Sequence, residues 1–496
     1  MNAFVRSALL VGTGIAAGAA ITISHSVLAE KTEAAQTLPL EDIQLFADVF
    51  GSIKNYYVDE VSDSKLIEYA IKGMVSELDP HSSYLDKKAF KDLEESTMGE
   101  FGGLGIEVTK DPQGVLVVSP IDDTPAARAG VLAGDIIVKL DGKSTADLSL
   151  NQNVKLMRGK PGTKIKLTIA RKGTVKPLVI EITRAIIKVR SVKSKALANQ
   201  LGYIRISQFQ EHTWEDVASA LQKLNASNNL KGLVLDLRNN PGGLLDAAIG
   251  VCAAFLPKGS LVVSTRGRDK DAEREFNAVY SDYNTGKSAR DTISQLPAIT
   301  KRVPIVVLVN TASASASEIV AGALQDHKRA TIMGTKSFGK GSVQTIMPLR
   351  MKKGETTGIK ITTARYYTPS GRTIQAKGIT PDILVDDTPE GNYPSFNLRE
   401  SDLANHIESE DTEKAKEKPM KEEQRSADEE APESTPTLRY KFGEEKDFPL
   451  QQAIAKLLGN PVITHEDVAK AMKEKRAKEK AAKDKAAAEA KGADKP

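Results

Sequence analysis

The sequence predicts an α/β core on a largely parallel sheet, joined to a smaller β-rich domain, an N-terminal helical module and a partly disordered C-terminal tail. Three observations carry that expectation. From Leu201 onward, apolar runs such as GLVLDLRN, SLVVSTRG and VPIVVLVN alternate with helical patterns such as WEDVASALQKL and SEIVAGALQDH, the order of a parallel α/β sheet. Ahead of them, the glycine-rich GEFGGLGIEV opens a series of short β-rich runs (GVLVVSPI, DIIVKLDG, KIKLTIARKG, PLVIEITRA) with one helical segment, LSLNQNVKLMRG. After Asp387 large apolar residues thin out, and residues 401–437 are rich in Glu, Lys, Ser and Pro, too polar to offset the entropy of ordering.

In chain order, residues 1–29 read as a secretory signal peptide. A short n-region ends at Arg6, an apolar stretch runs from Ala8 to Ile23, and small residues lead to Ala29. The stretch is shorter than the roughly 18 residues of a spanning helix, so cleavage and export to a bacterial periplasm are expected rather than anchoring. Residues 30–97 form the helical module: Ile43, Phe46, Phe50 and Ile53, then Leu66, Ala70, Ile71, Met74 and Leu78, recur at helical spacing, as packed helices or a docking arm would. The β-rich domain follows over 98–185, the core over 186–388 and a linker over 389–447. In the tail, 448–496, Leu450, Ile454, Leu457 and Leu458 share one helix face, with Asp447 placed to cap its start and Gly459 its end. The Lys/Glu/Ala stretch beyond reads as a solvated helix. Across a disordered linker that apolar face has no evident core to join, so removing residues 438–496 is expected to alter assembly and spare the chemistry.

Composition narrows the classes. With 496 residues, 40% hydrophobic and 27% charged, the chain holds several globular domains. A net charge of +4 is too weak to argue for nucleic acid. The single cysteine, Cys252, lies in the apolar LLDAAIGVCAAFL. It excludes a disulfide framework or a cysteine-built metal site and reads as a buried thiol; no metal or other cofactor is expected.

The most unusual segment is VPIVVLVNTASASASEIVAGALQD, a buried strand that turns through small residues into a helix. A serine in such a turn is next to the helix's first N–H groups and its positive dipole. A nucleophilic serine needs a base. His327 lies 12 residues past Ser315 on the same helix, about 18 Å along the axis, and is excluded. His81 and His212 stay open, although neither lies in a turn expected to reach the strand end. GTKSFGKGSVQ spells G-x-x-x-x-G-K over 334–340, but Gly341 replaces the magnesium-binding Ser/Thr and a strand pattern follows where a phosphate loop needs a helix. A lysine among glycines and beside Phe338 instead has its amine's pKa lowered by desolvation, which makes Lys340 a candidate base.

These residues resemble the carboxyl-terminal processing, or tail-specific, proteases, through SASASEI, ALQD, FGKGSVQ and LDLRNNPGG in that family's order, over about Leu38 to Asp387. The resemblance implies a crotonase-like or Clp-protease-like core with a serine-lysine dyad. Ser315 would be the nucleophile, Lys340 the base oriented by Gln344, and the N–H groups of Gly243 and Ala316 the oxyanion hole. Glu318, Asp326 and Ser337 would support them; Ser337 stands where relatives often have threonine. The glycine-rich domain resembles a PDZ module whose loop Gly103, Leu104, Gly105 and Ile106 captures a C-terminal carboxylate, with Arg158 a candidate for coupling its occupancy to the core. The implied partners are extracytoplasmic proteins with accessible C-termini, an adaptor and further copies of the chain. A PDZ scaffold that binds without cutting would have no use for Ser315, Lys340 and Gln344 together, and an acyl-CoA enzyme of the same fold class would leave the PDZ module unexplained.

Overall fold

Helix α1 (Leu40–Tyr56) and the first part of α2 (Asp63–Ser76) belong to one compact unit, and the chain from Lys72 onward to another. The structure, a computed structural model, describes residues 39–121, 123–174, 176–284, 286, 290–350, 356–392, 398–409, 442–474 and 478. The expected signal peptide, most of the expected linker and the end of the lysine-rich tail lie outside them. Acidic Glu41 and Asp42 open α1 and Lys54 closes it, as the helix dipole favours. Lys54 pairs with Asp63 at 2.8 Å. No α1 side chain is buried; Leu40, Leu45, Phe46 and Val49 are exposed.

The expected helical module does not stay helical to its end. Asp79 accepts from the His81 and Ser82 N–H groups (2.8 and 2.9 Å) and from the Ser82 hydroxyl (2.7 Å), which turns the chain into strand β1 (Ser83–Leu85). That strand pairs antiparallel with Thr356–Tyr367 of the core. Three residues are too few for hydrophobic periodicity to reveal. Helix α3 (Lys87–Met98) follows, capped by Asp86 and ended by Gly99 in the left-handed region, with Phe90 buried.

The β-rich domain is a sheet in the order β3 (Ile106–Asp111), β4 (Gly114–Pro120), β5 (Ile136–Leu140), β7 (Lys164–Ala170) and β8 (Leu178–Thr183), with β6 (Lys143–Ser144) beside β5. Alternate residues Ile165, Leu167 and Ile169 face a core of Leu104, Val115, Ile137 and Leu140. Helix α4 (Leu150–Met157) starts in a Ser149–Gln152 capping box. A two-stranded ribbon, β2 (Glu100–Gly103) with β9 (Ala185–Lys188), carries the chain into and out of this domain.

The core sheet runs β10 (Val192–Ala196), β11 (Leu201–Ile206), β12 (Gly232–Asp236), β15 (Ile305–Val309), β16 (Thr331–Gly334) and β19 (Ile383–Leu384). All neighbours are parallel except β10 with β11. A second, antiparallel sheet joins β1, β18 (Thr356–Tyr367), β13 (Leu261–Gly267) and β14 (Arg274–Asn277), with β17 (Ser342–Arg350) on β18. Because strand side chains alternate, Leu233, Leu235, Ile305 and Val307 face one core, shared with α5 (Thr213–Asn228), α6 (Leu245–Phe255) and α7 (Ala316–Asp326). Cys252 is buried there, and burial pushes its thiol pKa up.

Val234, Val306, Leu308 and Met333 face the opposite side, where Phe448, Leu450 and Ala453 of α8 (Phe448–Leu457) cover them. The tail helix therefore has a core to join, contrary to expectation: a parallel sheet needs both faces covered, and the tail supplies the second cover. An ion cluster fixes it there. Asp447 accepts from Leu450 N and Gly443 N at the start of α8 and binds Arg238 Nη1 and Nη2 at 2.8 and 2.6 Å. Arg238, wholly buried, also donates to Asp236 through Nε (3.0 Å) and Nη2 (2.6 Å), and Phe442 lies 4.6 Å from its guanidinium. Asp447→Ala would leave that guanidinium with one carboxylate, and breaking a buried pair typically costs about 3–5 kcal/mol; Leu450→Ala should cost about 2–5 kcal/mol. Urea unfolding checks both. Unchanged midpoints would mean that the tail is dispensable to the core.

Candidate active site

Small residues between β15 and α7 let two turns lock together. Ser313 Oγ donates to Leu237 O (2.8 Å), Ala314 N to Asn240 O (3.0 Å) and Ser317 Oγ to the same carbonyl (2.9 Å), so the serine turn is stitched to the RNNPGG turn after β12. Ser315 has φ 55° and ψ −114°, a strained conformation for a non-glycine residue, costing about 1–3 kcal/mol and held by its surroundings. Gly242 packs so tightly that a Cβ there would stand 2.8 Å from Ser315 Cβ. Gly243 bridges to Phe209, whose carbonyl would lie 2.0 Å from an added Cβ. Among the described residues the N–H groups of Gly243 and Ala316 have no acceptor, the condition a developing oxyanion requires of its donors.

Glu318 ties this turn to the lysine loop. Its wholly buried carboxylate accepts from Ser315 N (2.8 Å), Ser337 Oγ (2.6 Å), Gly339 N (2.7 Å) and Lys340 N (2.9 Å). The Ser315 and Lys340 amides share one oxygen, Oε2. Burial outweighs these donors and pushes its pKa up to about 7. Ser337 Oγ also accepts from Ile379 N at 2.6 Å.

Burial pushes the Lys340 amine down to about 8, with the nearby Lys360 adding to the effect and Glu400, Glu318 and Asp79 opposing it. Among the described residues no hydrogen bond joins Lys340 Nζ to Ser315 Oγ; Tyr366 of β18 lies beside the serine, whose hydroxyl lowers the tyrosine's pKa while burial pushes it up to about 12. Gln344, expected to orient the lysine, donates to Ser342 Oγ (2.9 Å) and Thr362 Oγ1 (3.1 Å). Asp326, at the far end of α7, accepts from Ser370 N at 2.9 Å and pairs with Arg372, bracing the turn after β18.

The β-rich domain keeps its own loop. Leu104 O accepts from Ala126 N (3.0 Å) and Gly105 O from Ile121 N (2.9 Å), while among the described residues the Leu104 and Gly105 N–H groups have no acceptor. Gly103 and Ile106, the ends of β2 and β3, frame it. Gly105 has φ 78°, and a Cβ there would meet Thr124 at 2.3 Å. Arg158 lies outside this loop: its guanidinium is 4.3 Å from the Phe101 ring and 3.6 Å from Glu95 of α3, tying the domain to that helix.

Sequence reasoning missed several residues. Glu400, in the expected linker, is wholly buried and accepts from His81 Nε2 and Gln375 Nε2. His81, placed away from the strand end by its sequence context, thus comes to the lysine side of the site, while His212 pairs with Glu215 on the surface at 2.8 Å. The DPHS run and the lone glutamate after the core carried no pattern that linked them.

The fold and site define a serine-type peptidase carrying a PDZ domain. The model of peptidase family S41 matches residues 200–385, that of the PDZ domain 102–182, and that of the N-terminal domain of the activating protease CtpB 10–89. A carboxy-terminal-processing protease of Bartonella bacilliformis is 53% identical over 367 residues, 73% of this chain and 80% of that one. A CtpA-like serine protease of Staphylococcus haemolyticus is 37% identical over 76% of this chain and 70% of its own. The solved photosystem II D1 C-terminal processing protease is 30% identical, with 69% and 92% covered and a TM-score of 0.38. This chain belongs to the carboxyl-terminal processing protease family. The PDZ domain and the peptidase family support protein substrates with C-termini.

Glu318→Gln should strand at least one of the four donors against an amide N–H, at about 1–3 kcal/mol. The expected outcome is a lower unfolding midpoint together with loss of peptidase activity. An unaltered midpoint would mean that the carboxylate does not hold the two turns.

Proposed function

We propose that this protein is an exported endopeptidase that binds free C-termini through its PDZ loop and cleaves by a Ser315–Lys340 dyad on a crotonase-like or Clp-protease-like core. The observation that carries the reading is the shared Glu318 oxygen, which joins the serine and lysine backbones. Neutral Lys340 takes the Ser315 proton once the hydroxyl turns toward it; Ser315 Oγ attacks the scissile carbonyl, and the oxyanion falls to the Gly243 and Ala316 amides. Collapse breaks the C–N bond. The lysine ammonium returns its proton to the leaving amine, and water hydrolyses the acyl-enzyme by the same proton route. The N-terminal sequence supports a periplasmic location, and the exposed apolar face of α1 is compatible with self-association or an adaptor.

Because the neutral amine is the working form, kcat should rise with pH through about 8. Lys340→Arg should be as inactive as Ser315→Ala, since a guanidinium stays protonated; initial rates on an unstructured peptide test this, and turnover by the arginine variant would place the base elsewhere. Amidating the substrate's C-terminus should raise KM, because the loop loses charge-assisted hydrogen bonds of about 1.5–3 kcal/mol each. Equal cleavage of both peptides would remove the PDZ loop from selection.

A further inference from the structure

The segment 398–409, beyond the core and inside the expected linker, grips the lysine loop from both ends. On one flank Glu400 N donates to Phe338 O (3.1 Å) and Arg399 Nη2 to Ser337 O (3.3 Å). On the other, Gly341 N donates to Gln375 Oε1 (2.9 Å), whose Nε2 donates to both Glu400 Oε1 (2.9 Å) and Ile407 O (2.8 Å). Gly339 and Lys340 lie between these flanks. The Glu400 carboxylate, 0% exposed, is further held by His81 Nε2 at 2.8 and 3.0 Å.

Four charged groups act on the lysine's charge: Lys360 from β18 disfavours the ammonium, while Glu318 from α7, Asp79 from the turn before β1 and Glu400 favour it. Glu318 is committed to backbone amides of both turns, and Asp79 to His81 N and Ser82. Glu400 is instead held by two side chains from distant parts of the chain. A base that takes a proton in a buried site leaves an ammonium that needs a counter-charge in fixed position.

We propose that Glu400, seated by His81 and Gln375, is a positioning residue for Lys340: it fixes the lysine loop and balances the ammonium formed when Ser315 gives up its proton. This rests on the reading of Lys340 as the base. Glu400 touches no reacting atom, and it takes up no proton in the step.

The test is Glu400→Gln in the full chain. The expected result is a kcat lower by about ten- to a hundredfold, as for a misplaced catalytic group, with KM unchanged and the alkaline-rising limb of the pH profile moved to lower pH because a negative neighbour of the ammonium is gone. Glu400→Asp should recover part of the kcat. In a Ser315→Ala background, the pH dependence of Lys340 acylation by an amine-reactive reagent should shift the same way, without need of turnover. A limb and an acylation midpoint both unmoved would overturn the proposal, even with activity reduced. If Glu400→Gln does not fold, His81→Gln replaces it and the same two readings decide. Activity in Lys340→Arg would overturn the base reading separately, while the acylation midpoint still reports whether Glu400 governs the lysine.

Discussion

The site depends on one buried carboxylate. Glu318 receives donors from the serine turn, the lysine loop and Ser337, and through Ser337 reaches the Ile379 amide. These segments are far apart in sequence and would otherwise be separate loops on a sheet edge. Backbone N–H groups that end in a buried place must find acceptors, and here one side chain serves three of them. The strained backbone of Ser315 survives because α7 begins immediately after it, with Glu318 on its first turn.

The same logic extends to the sheet beneath. A parallel sheet is apolar on both faces, and each strand of the core divides its residues between two hydrophobic cores. One face is closed by helices that alternate with the strands along the chain. The other is closed by a helix from the far end of the chain, fixed by the Asp236–Arg238–Asp447 cluster. Arg238 also opens the turn that leads to Gly243, so the tail and the proposed oxyanion donors share an element. The excess donors of a buried guanidinium need more than one carboxylate, which is why a residue from the tail is drawn in.

The PDZ domain and the peptidase are built on separate cores. The PDZ domain has its own apolar interior and joins the peptidase through the β2–β9 ribbon and the contact of Arg158 with Phe101 and Glu95. Gly102 allows the Gly159 carbonyl to approach the ribbon to where a Cβ would lie only 2.2 Å away.

The sequence by itself determined the alternation of strands and helices, the glycine-rich domain and the small-residue turn at Ser315, because these are local properties: periodicity, turn chemistry and the strand-to-helix order. It also put Ser315, Glu318, Ser337 and Lys340 in motifs distinctive enough to stand out. Tertiary structure alone decided what meets what. Tyr366 faces Ser315 only because β18 folds back across the site, Gln344 bonds to Thr362 through strand pairing, and β1 is too short to show a period of its own. Glu400 sat in polar surroundings that read as disordered linker, and Asp447 read only as a helix cap. Their burial follows from partners, His81, Gln375 and Arg238, placed hundreds of residues away in some cases, and no local pattern records a pairing made across the chain.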